Sequence, residues 1–182
     1  MRLSNLFCRS QERKKDLEAN RQRLYRIAYA WTHDAALAED LVQETLTKAW
    51  QKHDQLRDPK AETAWLFSIL TNCFRDHHRR VRETEDIDEL DIACDHCLET
   101  EHIRSELALR VRAAIDKLPQ GQRQVVTLVD LEGFSYNEVS AILGIPSGTV
   151  MSRLCRARTA LKTMLLPELM TPVQGARMRR VK

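Results

Sequence analysis

The chain has 182 residues, of which 43% are hydrophobic and 30% are charged, and its net charge is +3. This length allows one large domain or two small ones, and the composition is that of a globular protein rather than a fibrous or disordered one. No apolar run is long enough to cross a bilayer, and no secretory signal precedes the five scattered cysteines. We therefore expect a cytoplasmic protein with reduced thiols and no membrane insertion.

Three amphipathic helices are predicted in the first part of the chain. Apolar residues recur at helical spacing over residues 24–31, 38–50 and 65–80. His33 and Asp34 interrupt the pattern after the first stretch, and Asp58 before Pro59 marks a loop before the third, because a residue that precedes proline avoids the helical conformation. Since three amphipathic helices can bury one shared core, we predict a helical domain over residues 17–82.

An acidic segment follows this domain. Between Glu83 and Glu101 there are nine acidic residues and no lysine or arginine. Apolar periodicity is weak there, and a segment of this kind cannot bury enough apolar surface to fold by itself. Residues 83–102 are therefore predicted to form a flexible acidic linker.

A second helical domain is predicted over residues 103–166. One helix ends at Pro119 and another at Gly133. Ser135 and Glu138 then have the spacing of a capping box at the start of a helix, which Gly144 ends. Pro146 delays the next helix and Ser147 is expected to cap it, so this domain ends in a helix-turn-helix. The basic tail after Pro167, residues 167–182, has no periodic apolar stripe, and we expect it to be irregular.

The second helix of this motif has two different faces. One face is apolar, and its residues are Val150, Leu154, Ala157, Leu161 and Leu165; the opposite face is polar and basic, and its residues are Thr149, Ser152, Arg153 and Arg156. Small polar groups at a helix start with arginines beyond them suit the major groove of duplex DNA. An ordinary surface hairpin with a solvated basic face remains the alternative.

Two other polar faces belong to the first domain. The exposed side of the second helix is rich in short or acidic residues (Asp40, Gln43, Glu44 and Thr47). Such a face is either a solvated surface, which is the commoner case, or a docking face for a basic partner. The third helix has Asn72, Arg75, Asp76 and Arg79 outside, with Trp65 and Phe67 near its start. Arginines can contact phosphates and aromatic rings can stack on unpaired bases. The alternative is that Trp65 belongs to the core and that the arginines only make the end of the helix soluble.

Three segments in order carry a family resemblance. AEDLVQETLTKAW (Ala38–Trp50), AWLFSILTNCFRDHHRR (Ala64–Arg80) and, after the acidic linker, LPQGQRQVVTLVDLEGFSYNEVSAILGIPSGTVMSRLCRARTAL (Leu118–Leu161) resemble the extracytoplasmic-function (ECF) sigma factors of bacterial RNA polymerase. Helical apolar spacing almost throughout the chain predicts an all-α protein, and the lack of a nucleophile, paired-acid or phosphate-loop signature argues against catalysis. The resemblance implies two helical domains, of which the first docks on core RNA polymerase and opens the −10 promoter element. The second domain would read the −35 element, and an anti-sigma factor would be a further partner.

The resemblance also implies functions for particular residues. The residues that would dock on the polymerase are Asp40, Gln43 and Glu44. The loop from residue 57 to 63 would capture a flipped-out −10 base, with Arg57, Asp58, Lys60 and Thr63. The residues that would contact the adjoining strand are Asn72, Arg75, Asp76 and Arg79. Recognition of the −35 element falls to Ser147, Thr149, Ser152, Arg153 and Arg156, with Arg158 as a flanking phosphate or structural contact. Met151 departs from the family, which commonly has lysine there.

A metal site in the linker is the remaining candidate. Cys94 and Cys97 enclose His96, and His102 follows. A closed zinc site needs four ligands and a second closely spaced pair is missing, so we predict no metal and no cofactor. Two other functional classes stay open: a helix-turn-helix regulator that binds an operator as a dimer, and a helical adaptor that binds only protein. The small, arginine-rich first domain argues against the regulator, which would have a ligand or receiver domain there.

Overall fold

A computed structural model describes residues 20–53, 56, 58, 61–84 and 104–169. Every regular element within these ranges is a helix, which confirms the all-α class. The N-terminal module consists of α1 (20–32), α2 (Ala35–Lys52) and α3 (Glu62–Thr84). The C-terminal module consists of α4 (Arg104–Asp116), α5 (Gln120–Val126), a π-helical segment (Thr127–Leu131), α6 (Tyr136–Leu143) and α7 (Ser147–Leu169).

The break between α1 and α2 is built by two adjacent residues. His33 has a left-handed backbone with φ of 56°, a conformation that ends a helix. The Asp34 carboxylate then accepts hydrogen bonds from the backbone N–H groups of Ala36 (2.8 Å) and Leu37 (3.1 Å). These bonds satisfy donors that the first turn of a helix leaves without partners, so the predicted break is confirmed.

The helix that begins as α5 widens before it ends. Residues Thr127–Leu131 form a π-helical turn, and Gly133, with φ of 78°, follows it. Leu131, although apolar, has 57% of its surface exposed. The wider π-helical turn changes the angular spacing of successive side chains, and Leu131 consequently points away from the core.

The two modules pack against each other through α3. This helix contacts α2 on one side and α6 on the other. The rings of Phe67 (α3) and Phe134 (just before α6) meet edge to face with their centroids 5.2 Å apart. Buried residues of both modules form one continuous hydrophobic cluster. Phe67 is fully buried in it, so the interpretation of Phe67 as a platform for unpaired bases is wrong.

Polar contacts also cross between the modules. The indole N–H of Trp31 donates a hydrogen bond to Thr127 Oγ1 at 3.0 Å. Glu132, whose side chain is only 3% exposed, accepts from Arg23 Nε at 2.7 Å and lies 3.6 Å from Arg26 Nη2. Buried polar groups of this kind need partners, because an unpaired one destabilises the fold. The two modules are therefore matched in polarity as well as in shape.

Helix ends differ from the sequence predictions in two places. α7 continues to Leu169, past Pro167, where the tail was expected to begin. α3 ends at Thr84, so the first two residues of the predicted linker are helical. The remaining linker residues up to 103 and the tail from residue 170 lie outside the described residues.

Candidate nucleic-acid interface

The first helix of the helix-turn-helix, α6, begins with a reciprocal cap. Ser135 Oγ accepts a hydrogen bond from the Glu138 backbone N–H at 3.3 Å, while Glu138 Oε2 accepts from the Ser135 backbone N–H at 2.8 Å and from its hydroxyl at 2.6 Å. The hydroxyl and then the backbone N–H of Ser135 stabilise the charged carboxylate, which lowers the pKa of Glu138. The predicted capping box is confirmed.

The turn between α6 and α7 is fixed by its own hydrogen bonds. Gly144 has φ of 60° and ends α6, as predicted. The hydroxyl of Ser140 donates to the Ile145 carbonyl at 2.6 Å, and the Ile145 backbone N–H donates back to the Ser140 carbonyl at 3.2 Å. This exchange sets the direction from which the chain enters α7.

Ser147 does not cap α7, so that prediction is wrong. The backbone N–H groups of Thr149 and Val150 donate to the carbonyl of Pro146, at 2.8 and 3.1 Å. These are the donors that a Ser147 cap would have bound. Because Pro146 accepts them, Ser147 becomes the first helical residue.

The outer face of α7 carries linked polar side chains. Val150, Leu154 and Ala157 are buried, which confirms this part of the apolar face, whereas Leu161 and Leu165 are only partly buried. On the other side, Ser152 Oγ donates to the Thr149 carbonyl at 3.1 Å. Arg156 Nε donates to the Ser152 carbonyl at 3.2 Å, and Ser152 and Arg156 are both exposed.

Arg158 has a structural partner. Its Nη2 and Nε donate to the two carboxylate oxygens of Asp130, at 2.6 and 3.1 Å. A two-bond arginine–carboxylate pair fixes the geometry of both side chains. The hydrogen bonds and the attraction of Asp130 raise the pKa of Arg158 further. Of the two functions expected for Arg158, the observed geometry matches the structural contact.

A basic groove lies between α2 and α3. Its volume is about 490 Å³, and the residues that line it are Lys48, Lys52, Ile69, Asn72, Arg75, Asp76 and Arg79. The four polar residues predicted on α3 thus lie together. Lys48 and Lys52 were missed by the sequence analysis, although their spacing of four residues places them on one side of α2. With four cationic side chains and one carboxylate, the groove can hold a polyanion.

Arg75 joins this groove to the C-terminal module. Its Nη2 donates a hydrogen bond to the backbone carbonyl of Leu143, the last residue of α6. A helix leaves its last carbonyl groups without intrahelical donors, and a nearby cation there is favourable. Arg75 is consequently both a groove residue and a contact between modules.

The loop predicted to capture a base is described in part. Arg57 and Lys60 lie outside the described residues, whereas Asp58 is exposed. Thr63 belongs to the first turn of α3, because that helix begins at Glu62. The placement of Thr63 in a loop is therefore wrong. Trp65, the other aromatic candidate of this region, is partly buried and packs against the core.

The acidic side of α2 is open to solvent. Asp40 and Gln43 are exposed, and Glu44 pairs with Lys48 at 2.8 Å. This hydrogen bond raises the pKa of Lys48. Trp50 was expected on the apolar stripe but is 48% exposed. At helical spacing it lies ten residues, nearly three turns, beyond Asp40, so an aromatic surface extends this acidic side.

Metal binding is not indicated by the described residues. Within them no group of three or more histidine, cysteine or acidic side chains could hold a metal ion. Cys94, Cys97, His96 and His102, the candidate ligands, all lie outside that part of the chain. Cys73 is buried beside Lys48 Nζ (3.5 Å), and burial raises the pKa of its thiol, which keeps it protonated and unreactive. No described helix is both long enough and apolar enough to span a membrane.

Comparison with known proteins assigns the two modules separately. Residues 17–84 match the family model of sigma-70 region 2, and residues 108–161 match that of sigma-70 region 4. The chain thus has the two-module organisation of a sigma-70-type transcription initiation factor, which is not an enzyme.

Curated relatives define the family. The chain is 40% identical to the ECF RNA polymerase sigma factor EcfG of Rhodopseudomonas palustris over 155 residues, which are 84% of each protein. It is 37% identical to SigE of Mycolicibacterium smegmatis over 160 residues, 85% of this chain and 62% of the relative. The chain belongs to the ECF sigma factors of RNA polymerase, proteins that bind core polymerase and promoter DNA.

Solved structures of similar proteins contain both modules. The sigma factor RpoE of Bartonella quintana, in complex with the anti-sigma factor NepR, matches with a TM-score of 0.75 and 35% identity over 84% of this chain and 96% of that one. CnrH in complex with the cytosolic domain of CnrY matches with a TM-score of 0.62 and 28% identity, over 87% of this chain and 90% of that one.

Proposed function

We propose that this protein directs core RNA polymerase to promoters by reading the −35 element with α7 and holding the backbone of the melted −10 strand in the basic groove. The observation that carries the first part is the outer face of α7. Its small residues Thr149 and Ser152 lie in the first turns, and Arg153 and Arg156 follow them. A recognition helix enters the major groove with its N-terminal residues, and arginine pairs with guanine edges and phosphates.

The groove between α2 and α3 supports the second part of the proposal. Its cations come from both helices, so a strand between them would meet positive charge on each side. Asn72 adds an amide that can donate to a base and accept from it. The expected aromatic platform is absent at Phe67, so we assign the groove to the strand backbone and base capture to the segment around residues 57–60.

Polymerase docking is proposed for the exposed side of α2. Asp40 and Gln43 face solvent, and Trp50 adds apolar area on the same side. Charged residues that surround an exposed aromatic residue are typical of protein interfaces. The partner surface would be basic, as the family resemblance implies for the polymerase clamp helices.

We further propose that the closed arrangement of the modules is the one that an anti-sigma factor holds. Two observations support this. The similar solved structure of RpoE is that of a sigma factor in complex with an anti-sigma factor, and the match to it covers 84% of this chain. Arg75 also binds the end of α6, so the groove is partly engaged while the modules touch. Promoter binding would then require the modules to separate.

Run-off transcription tests the function. Core polymerase is combined with the chain or with its Arg156→Ala variant on a pool of genomic promoter fragments. The unmodified chain is expected to give defined transcripts that core polymerase alone does not give. The variant lacks a charge-assisted hydrogen bond to DNA worth about 1–3 kcal/mol, so it should weaken promoter binding roughly 5- to 150-fold across a salt series.

Arg158→Ala is the matched control on the same helix, because Arg158 is engaged by Asp130. It is expected to leave promoter selection nearly unchanged. Equal transcript yields from the chain and from Arg156→Ala would contradict recognition by α7. Binding of an operator duplex as a dimer, without any effect of polymerase, would instead favour a stand-alone regulator.

A further inference from the structure

Arg153 and Arg156 lie in different surroundings, although both belong to the polar face of α7. Arg156 is exposed and bonds to Ser152 of its own helix. Arg153 is partly buried and extends toward α5. Within the described part of the chain its guanidinium makes no hydrogen bond or ion pair, so its five N–H donors remain available to a ligand.

The guanidinium of Arg153 lies against the backbone of Gly121, in the first turn of α5. A Cβ atom built on Gly121 would lie 3.0 Å from Arg153 Nη1, 3.1 Å from Cζ and 3.4 Å from Nε. Three atoms of one plane at nearly equal distance mean that the flat guanidinium covers the glycine. Only a residue without a side chain permits this approach.

The backbone of α5 does not itself require glycine at this position. Gly121 lies in a helix and, unlike Gly133 and Gly144, is not a positive-φ glycine. Glycine in a helix lowers stability relative to alanine. The backbone conformation therefore gives no reason for glycine at this position. The close approach of Arg153, which a side chain at position 121 would obstruct, does give one.

We propose that Gly121 is a positioning residue that determines how Arg153 presents its guanidinium to the −35 element. This inference rests on the proposed function of α7. A planar side chain held against a backbone keeps fewer conformations before binding, so less freedom is lost when DNA binds. Gly121 would thus influence DNA recognition without touching DNA.

A Gly121→Ala variant tests this inference because the substitution is mild for the fold. The new methyl group displaces the guanidinium by a few tenths of an ångström, and the far end of the Arg153 side chain can shift by that amount without moving the backbone. The thermal midpoint is expected to stay equal or rise, as it should for Gly148→Ala, where nothing lies within 4 Å of the added Cβ. A lowered midpoint for Gly121→Ala alone would overturn the geometry.

Binding is then measured in a double-mutant cycle. The probe is a fluorescent duplex that holoenzyme with the unmodified chain selects from a random-sequence pool. Gly121→Ala is expected to weaken binding by holoenzyme about 5-fold. In the Arg153→Ala background the same substitution should have no further effect. In the Arg153→Lys background, where the planar guanidinium is absent, Gly121→Ala should also change the binding affinity little.

The outcomes separate this inference from the proposed function. If Arg153→Ala and Arg156→Ala both left binding unchanged, recognition by α7 would itself be wrong. If Arg153→Ala weakened binding and Gly121→Ala did not, only the positioning by Gly121 would be refuted. An equal loss from Gly121→Ala with and without Arg153 would show that it acts through something other than this arginine, and would also refute it.

Discussion

Trp31 and Thr127 connect the two modules through a hydrogen bond that is buried from solvent. The indole N–H donates to Thr127 Oγ1 at 3.0 Å, and Thr127 is fully buried. The hydroxyl in turn donates to the carbonyl of Arg123, four residues earlier, at 2.8 Å. Thr127 is therefore the middle member of a chain of hydrogen bonds that begins at Trp31 in α1 and ends at Arg123 in α5.

Replacing Thr127 by valine should destabilise the closed protein. The shape is retained, but the Trp31 N–H would be buried without an acceptor, which costs about 1–3 kcal/mol. Denaturant unfolding measures this change. Thr71→Val is the matched control, because Thr71 is equally buried and its hydroxyl donates to the Phe67 carbonyl of its own helix. Equal destabilisation by the two substitutions would contradict the importance of the hydrogen bond between modules.

His33 should make the stability of the fold depend on pH. Its Nδ1 lies 3.2 Å from Asp116 Oδ1, and its Nε2 faces Nη1 of Arg123. Burial, followed by the positive charge of Arg123, lowers the pKa of His33, and Asp116 offsets this only in part. The neutral ring with its proton on Nδ1 satisfies both neighbours.

The sign of this pH dependence follows from the lowered pKa. The unfolded chain binds a proton on His33 below about pH 6.5, and the folded chain does so only at lower pH. Stability should therefore be complete above about pH 6.5 and decrease as the pH falls toward the folded pKa. His33→Gln, which cannot titrate, should show a shallower decrease in denaturant unfolding between about pH 7.5 and about pH 5.5. Identical slopes would refute this assignment.

The docking side of α2 can be tested by charge reversal. Asp40→Arg should abolish co-purification with core polymerase at unchanged helical content, since Asp40 is exposed and places no group in the core. Ala35→Arg adds the same charge to an exposed position about 140° away around the helix, and it should co-purify normally. Retained binding by Asp40→Arg would place the docking surface elsewhere.

Lys52 offers a test of the basic groove. It is exposed and is one of the residues that line the groove. Lys52→Ala should weaken binding of a single-stranded −10 oligonucleotide by holoenzyme and make its salt dependence shallower by about 0.7 for each phosphate that the variant no longer neutralises. Lys117→Ala, at an exposed position after α4, should change neither quantity. The same salt slope in both variants would exclude Lys52 from the strand path.

Local features of the fold could be predicted because their causes lie within a few residues. The capping box of Ser135 and Glu138 and the left-handed Gly144 depend on bonds that span three to five positions. The placement of Ser147 failed within the same range, because Pro146 competes for the same donors. The Ser147 hydroxyl and the Pro146 carbonyl could each accept from the same N–H groups. The sequence is compatible with both, and only the three-dimensional structure shows which one binds.

Contacts between distant segments could not be predicted. Phe67 meets Phe134 across 67 positions of sequence, and nothing in the pattern of α3 indicates that its second face is covered. Likewise, Lys48 and Lys52 join the predicted α3 residues only because α2 and α3 pack together. The packing of α3 against α6 decides the first result and its packing against α2 decides the second, and both depend on the whole core.

The position of Arg75 has a thermodynamic consequence. Its guanidinium binds the Leu143 carbonyl and also lines the groove. A strand that bound Arg75 would compete with the end of α6, and the free energy of that competition is reciprocal. Whatever holds the modules together must weaken strand binding by the same factor by which the strand weakens their association. If the groove holds the strand as proposed, this single arginine couples strand binding in the groove to separation of the modules.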